Sequence, residues 1–311
     1  FLDLDILAIG PIVRDQSAVF DRFWNSAQAY PAGLLIGRPE SPAAARAAFE
    51  RLSSIEAGSP PAPAAAPAFI DALRSGSRPL AWAHAEVLAD DPSKAAGAHK
   101  VLPAETALAG SIAAFELARS EVFLISPYFV PGKRGMAVVE RMRQRGVRLV
   151  VITNSLAATD EALVFGAYAR YRLPLLRSGV EISELSPDRA QKRGHFSELG
   201  RSTAMLHAKF GLIDRKMLVI GSMNLDARSA DINTEIGLLI DSPELVGELM
   251  KTLDEDRFES AYRLRLAPDG KLLWVATEDG VETILDDEPE VGLMKRLMLF
   301  ITSPWVPEDL L

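Results

Sequence analysis

Cysteine is absent from the 311 residues, which excludes disulfides, thiolate metal sites and a cysteine nucleophile together. Histidine is scarce, at four, so a zinc site would have few imidazoles to draw on. No apolar run approaches the roughly 18 residues that a membrane-spanning helix needs, and any bilayer contact is expected to be peripheral. Basic charge is in deficit. With 34 Lys and Arg against 42 Asp and Glu the formal charge is -8 and the sequence pI about 5.2, which disfavours a protein that holds nucleic acid by bulk charge. What remains is ordinary for a globular chain, 48% hydrophobic and 24% charged, and long enough for one large or two medium domains.

The chain opens Phe1-Leu2-Asp3-Leu4-Asp5-Ile6-Leu7-Ala8-Ile9-Gly10, with no initiator Met and no basic, signal-like leader. Leu2, Leu4, Ile6 and Ala8 alternate with Asp3 and Asp5, the period of a strand entering a core. We therefore expect a strand over residues 1–10 in a piece of a longer polypeptide, cut inside a domain. Asp15 to Ala29 reads as a helix with Val19, Phe20, Phe23 and Trp24 on one side, and Ser41 to Leu52 as a second helix that Ser41 caps. Ser59 to Pro67 (SPPAPAAAP) is a linker or surface loop. From about residue 103 the pattern is regular. Helices over Glu105 to Arg119, Gly135 to Arg145 and Asp160 to Ser178 (closed by Gly179) alternate with apolar strands over Val122 to Ser126, Val147 to Thr153 and Val180 to Leu185. Strands follow over Met205 to Asp214, Met217 to Ser222 and Ile236 to Asp241, then a helix over Pro243 to Ser260. A hairpin turning at Asp269-Gly270 and a closing apolar helix over Val291 to Ile301 complete an α/β layered chain.

The chemistry concentrates in residues 205–224, MLHAKFGLIDRKMLVIGSMN. His207 and Lys209 are two apart in strand-forming sequence, so both side chains emerge on one face. Such a pair suits a phosphate: the lysine supplies charge and donors, and the imidazole can attack phosphorus or protonate a departing oxygen. Asp214 has the opposite parity and closes the strand, where it organises the turn more readily than it touches substrate. Gly221, Ser222 and Asn224 offer a backbone turn, a hydroxyl and an amide for the remaining phosphate oxygens.

The spacing HxK(x4)D(x6)GSxN over His207, Lys209, Asp214, Gly221, Ser222 and Asn224 resembles the signature of the phospholipase D superfamily. A carboxylate behind the histidine is implied about one strand further on, where Glu235 stands. Asp3 to Gly10 also aligns without gaps on Asn233 to Ile240, with a helix after both, so that Asp5 corresponds to Glu235. This implies that Asp5 orients a second histidine upstream of Phe1. The superfamily uses two such motifs, and this sequence carries only the second. Segments around Leu2 to Pro11, Phe20 to Ser26, Ser126 to Gly132, Thr153 to Asp160 and Glu288-Pro289 are similar to bacterial cardiolipin synthases of the C type. There Asn154 would lie near the site as a substrate-binding residue, with a turn or helix cap as its equal alternative.

The resemblance implies a phospholipase D fold: a mixed β-sheet flanked by helices, in a pseudo-twofold repeat whose first half is truncated. Residues 1–100 would be the remainder of the N-terminal half and residues 101–311 the C-terminal half. The catalytic set would be His207, Lys209, Asp214, Asn224 and Glu235, with Ser222, Asn154 and Asp5 binding substrate, and no metal or cofactor. The implied activity is phosphatidyl transfer or phospholipase D-type cleavage through a phosphohistidine. The substrate would be phosphatidylglycerol or phosphatidylethanolamine, at the cytoplasmic face of the inner membrane, with no nucleic acid as partner. The site would need the missing N-terminal segment or a second copy. The alternative is a nuclease or phosphodiesterase in which two chains each donate one motif. Arg141, Arg143, Arg145 and Arg148 read as a solvated helix face sooner than a lipid contact. Arg189, Lys192, Arg193, His195 and Arg201 lie in a polar stretch, either a headgroup loop or a plain connection. Leu293, Leu297, Phe300, Ile301 and Trp305 read as core.

Overall fold

The computed structural model describes residues 3–35, 41–56, 71–77, 80–97, 106–192, 205–256 and 260–302. The expected Pro/Ala loop, His99, Arg193, His195, Arg201 and Trp305 lie outside them. The chain forms two compact units, Phe1–Phe23 with Ala83–Leu311, and Trp24–Trp82. The smaller holds helices α2 (Ala32–Leu35) and α3 (Pro42–Glu56). Ser41 Oγ accepts from Ala44 N–H at 3.1 Å, the cap its sequence position suggests.

The larger unit begins with α1 (Ile12–Trp24) and is built on a sheet of ten strands: β1 (His84–Ala89), β2 (Glu121–Ile125), β3 (Arg148–Asn154), β4 (Glu181–Leu185), β5 (Phe210–Ile213), β6 (Met217–Gly221), β7 (Ile236–Asp241), β8 (Ala261–Leu266), β9 (Leu272–Glu278) and β10 (Val281–Leu285). Their order is β1-β7-β6-β5-β2-β3-β4-β8-β9-β10. β3 runs parallel to β2 and to β4, and the other ladders are antiparallel. The sheet is thus mixed, as expected. β2 and β3 are buried on both faces, which is why they read as continuous apolar runs.

Each face has its own core. Val122, Leu124, Leu149 and Val151 join one cluster, covered by α4 (Ala107–Glu116), α5 (Gly132–Gln144) and α6 (Ala162–Arg177). Phe123, Ile125, Val150 and Ile152 join the other, with Val246 and Met250 of a helix that follows β7. Between β4 and β5 lies the short α7 (Pro187–Lys192), and between β6 and β7 the short α8 (Ala227–Asp231), so the helix after β7 is α9 (Pro243–Asp256). Gly179, at φ 81°, closes α6 with its N–H on Leu176 O at 3.0 Å, the predicted left-handed cap. Asp269-Gly270 turns the β8–β9 hairpin. The last helix, α10 (Leu293–Thr302), departs from expectation: Leu297 and Ile301 are exposed, and Leu299 packs on the core instead.

Two expected strands are shorter or missing. Residues 3–9 form no strand, although Leu4, Ile6 and Ala8 pack on the second core cluster while Asp3, Asp5 and Leu7 face out. The period of two survives as burial. The ladder does not, because a strand needs hydrogen-bonding neighbours and none flanks this segment among the described residues. The aligned segment at β7 has β1 and β6 on its two sides. Likewise Met205 to Asp214 is laddered only over Phe210–Ile213.

Candidate functional site

The motif residues other than Asp214 gather at one end of the central strands. Leu206 and Ala208 are buried in the second core cluster, so His207 and Lys209 point the other way even outside the ladder. The neighbouring β6 brings its end alongside: Gly221 N–H donates to Lys209 O at 3.2 Å. Gly221 is required there, since a Cβ would lie 2.3 Å from Ile236 O. Ser222 then binds across to β7, its N–H on Ile236 O at 2.9 Å.

His207 Nδ1 lies 2.7 Å from Asp3 Oδ2, a contact across 204 residues. Burial raises the Asp3 carboxyl's pKa, but the His207 hydrogen bond and the Leu4 amide outweigh it, and the net direction is down. Asp3 is therefore a carboxylate partner suited to hold the imidazole. Lys209 is half-buried, which pushes its ammonium pKa down against the pull of Asp3, Glu235, Asp160 and Asp226. Its Nζ donates to His207 O at 2.5 Å.

Glu235 is not placed on His207. It is 7% exposed; Oε2 accepts from Ser222 Oγ at 2.5 Å and Oε1 from Ser229 Oγ at 2.8 Å. Behind it stands a strut that sequence reasoning missed. Asp90 Oδ2 accepts from Lys94 Nζ at 2.7 Å and from Glu235 N–H at 2.8 Å, and Lys94 also donates to Ser229 O at 2.9 Å. A Lys four residues after an Asp in a polar run, Asp90 to Lys94, was the available signal. Asn224 N–H donates to Ser229 Oγ at 3.2 Å, while its buried Oδ1 has no hydrogen-bond partner among the described residues.

Three further expected site residues have their own partners or none beside His207. Asp214 is at the far end of β5, about 23 Å along the chain from His207 at ~3.3 Å per residue. Its Oδ1 accepts from Ser120 N–H at 2.8 Å, Glu121 N–H at 3.0 Å and Ser120 Oγ at 2.7 Å, and its Oδ2 from Arg119 N–H at 2.8 Å. Burial works against it, but these donors bring its carboxyl down to about 2. It ties the strand end to the α4–β2 loop. Asp5 is exposed, two residues from the aspartate that does meet His207. Asn154, 1% exposed, caps no helix: its Nδ2 donates to Leu206 O at 3.0 Å and its Oδ1 accepts from Leu206 N–H at 2.9 Å.

Tyr128 Oη donates to Asp160 at 2.6 Å beside the site. The arginine cluster is spoken for: Arg141 pairs with Glu116, Arg143 with Glu140, and Arg148 with Glu121 and Glu181. Among the described residues no group of three or more His, Asp or Glu is placed to hold a metal ion, and no helix is long and apolar enough to cross a membrane.

Residues 112–257 match a family model described as cardiolipin synthase, PLD-like domain. Cardiolipin synthase C of Escherichia coli (strain K12) is 37% identical over 321 residues, covering 97% of this chain and 64% of that protein. An uncharacterized protein of Helicobacter pylori (strain ATCC 700392 / 26695) is 30% identical over 96% of this chain and 58% of its own length. The chain thus spans about three fifths of the curated relatives it matches first. Nuc, a phospholipase D family member from Salmonella typhimurium, aligns with 59% of this chain and 99% of its own at 17% identity and TM-score 0.43.

Proposed function

The chain carries a domain that belongs to the phospholipase D-like family of cardiolipin synthases, and on that premise we propose that it works in phosphatidyl transfer on phospholipid phosphodiesters, with cardiolipin as product. The observation that carries the reading is the His207–Asp3 contact on a motif strand that also bears Lys209. With Nδ1 turned to the carboxylate, Nε2 is the nitrogen to exchange a proton with substrate.

In this reading a histidine of a first motif, upstream of Phe1, attacks phosphorus. The bond from phosphorus to the leaving alcohol breaks and His207 protonates that alcohol. His207 then takes the proton of an incoming alcohol, whose oxygen attacks phosphorus as the P–N bond of the phosphohistidine breaks. Phosphatidylglycerol as acceptor gives cardiolipin, and water gives hydrolysis. Lys209 and Asn224 offset charge on the equatorial oxygens, and Ser222, held by Glu235, lines the same edge. The division at residue 100, with residues 1–100 left from an N-terminal half and 101–311 forming the C-terminal half, belongs to this proposal, as does peripheral attachment at the cytoplasmic face of the inner membrane. The formal charge of -8 favours it over a polyanion-cutting homodimer.

The test uses the full-length protein on phosphatidylglycerol vesicles. His207→Asn should lower cardiolipin formation about 1,000-fold, within the range of a lost general acid–base, and acid-quenched wild type should yield phosphohistidine on a residue upstream of Phe1. Full-rate transfer by the 311-residue chain alone as a monomer would overturn the need for that upstream motif.

A further inference from the structure

The segment that carries His207 keeps an isolated β-bridge at Leu206 but has no ladder with β2. β2, which pairs with β5 up to the couple Ile125 and Phe210, ends there, and the chain turns away at Ser126-Pro127. Residues 206–209 therefore run past the end of their neighbour. Across that gap lies β3, whose last residue is Asn154. Two strand spacings of ~4.8 Å separate β3 from β5, too far for backbone pairing, and a side chain must bridge the difference.

We infer that Asn154 is a positioning residue for His207: its amide stands in for the missing strand. A carboxamide carries one donor and one acceptor in a plane, as a peptide unit does. Here both are used on a single residue, Nδ2 to Leu206 O at 3.0 Å and Leu206 N–H to Oδ1 at 2.9 Å. Those are the two bonds a laddered neighbour would make. Leu206 is the residue before the imidazole and is itself 6% exposed, so fixing its peptide groups fixes the direction in which His207 leaves the chain. The amide is turned wholly to the backbone and buried, which separates this role from the substrate-binding one suggested by its place at a strand end. β3 is the right anchor, since it is buried on both faces and paired on both sides. The inference rests on His207 as the proton-transferring group.

Two variants and two readouts test it in the full-length protein. Asn154→Ala should lower kcat for phosphatidylglycerol vesicles about 100-fold with KM within about twofold, the scale of a group displaced by an ångström. The Leu206 amide should exchange with deuterium at least ~10-fold faster while the β2–β3 amides keep their protection. Asn154→Asp guards against simple misfolding. Protonated, its carboxyl can both donate to Leu206 O and accept from Leu206 N–H; ionised, it turns an acceptor against that carbonyl. The ratio of its kcat to that of wild type should therefore climb as pH falls from 8 to 5. A raised KM with kcat intact would place the amide on substrate and overturn the inference, as would unchanged exchange at Leu206 or a flat ratio. If wild type lacks lipid turnover, the functional reading fails, and the exchange measurement still decides the role of Asn154.

Discussion

Two buried glutamates toward opposite edges of the sheet are satisfied in different ways. Glu184 on β4 is fully buried and meets a permanent cation: Arg172 Nε at 2.7 Å, with Tyr168 Oη at 2.8 Å and Trp274 Nε1 at 3.0 Å completing its partners. Arg172 in turn clamps Glu288 of the tail with two bonds of 2.9 Å and lies over the Phe165 ring at 4.5 Å. Among the described residues the Glu235 carboxylate beside the motif receives two serine hydroxyls and no cation. A carboxylate locked by guanidinium and rings has nothing left to offer a ligand. One held by hydroxyls, which can rotate, retains the capacity to orient a cationic or protonated partner. The first cluster holds the tail to the fold, and the second stands beside the motif.

Stability measurements can break this contrast. Arg172→Ala should cost about 3–5 kcal/mol in urea unfolding, because it takes the guanidinium from a buried carboxyl and leaves only the neutral donors Tyr168 and Trp274 on it. A cost near zero would show that the Glu184 cluster is no lock. Asp214 lies between the extremes, a carboxylate held mainly by backbone amides. Its folded pKa of about 2 is below the ordinary 3.8, so its contribution is present above the ordinary value and lost as pH falls from about 4 through about 2. Asp214→Asn should therefore flatten the fall in melting temperature over that window while leaving the value at pH 7 modestly lower. Glu235→Gln should move urea stability least, by less than ~1 kcal/mol, since an amide still accepts from one serine and donates to the other. Its turnover should nonetheless drop strongly. Equal losses of stability in Glu235→Gln and Arg172→Ala would erase the distinction. Tyr128→Phe, which removes one bond to Asp160, should cost ~1 kcal/mol or less.

Much of the architecture was legible because it rests on local pattern. Val122 to Ser126 and Val147 to Thr153 are apolar without interruption, and helix-period segments between them left few alternatives to a layered sheet. Gly179 and Asp269-Gly270 marked their turns through backbone conformations that side chains resist. Residues 3–9 show where pattern stops: alternation reports which side is buried, and says nothing of whether a neighbour supplies the ladder. The closing helix shows the same limit, since an apolar stripe does not say which of its members the core will receive.

The motif itself was determined by sequence alone, since the spacing of His207, Lys209, Gly221, Ser222 and Asn224 along two adjacent strands follows from the period of an extended chain. Which carboxylate faces which group was decided only by the tertiary structure. Asp3 rather than Asp5 or Glu235 meets His207, Glu235 turns to Ser222 and Ser229, and Asn154 reaches Leu206 past the end of β2. The first and last of these contacts join residues 204 and 52 positions apart. Their geometry depends on where neighbouring strands end, and strand ends are set by packing and pairing over the whole sheet rather than by any local run of residues.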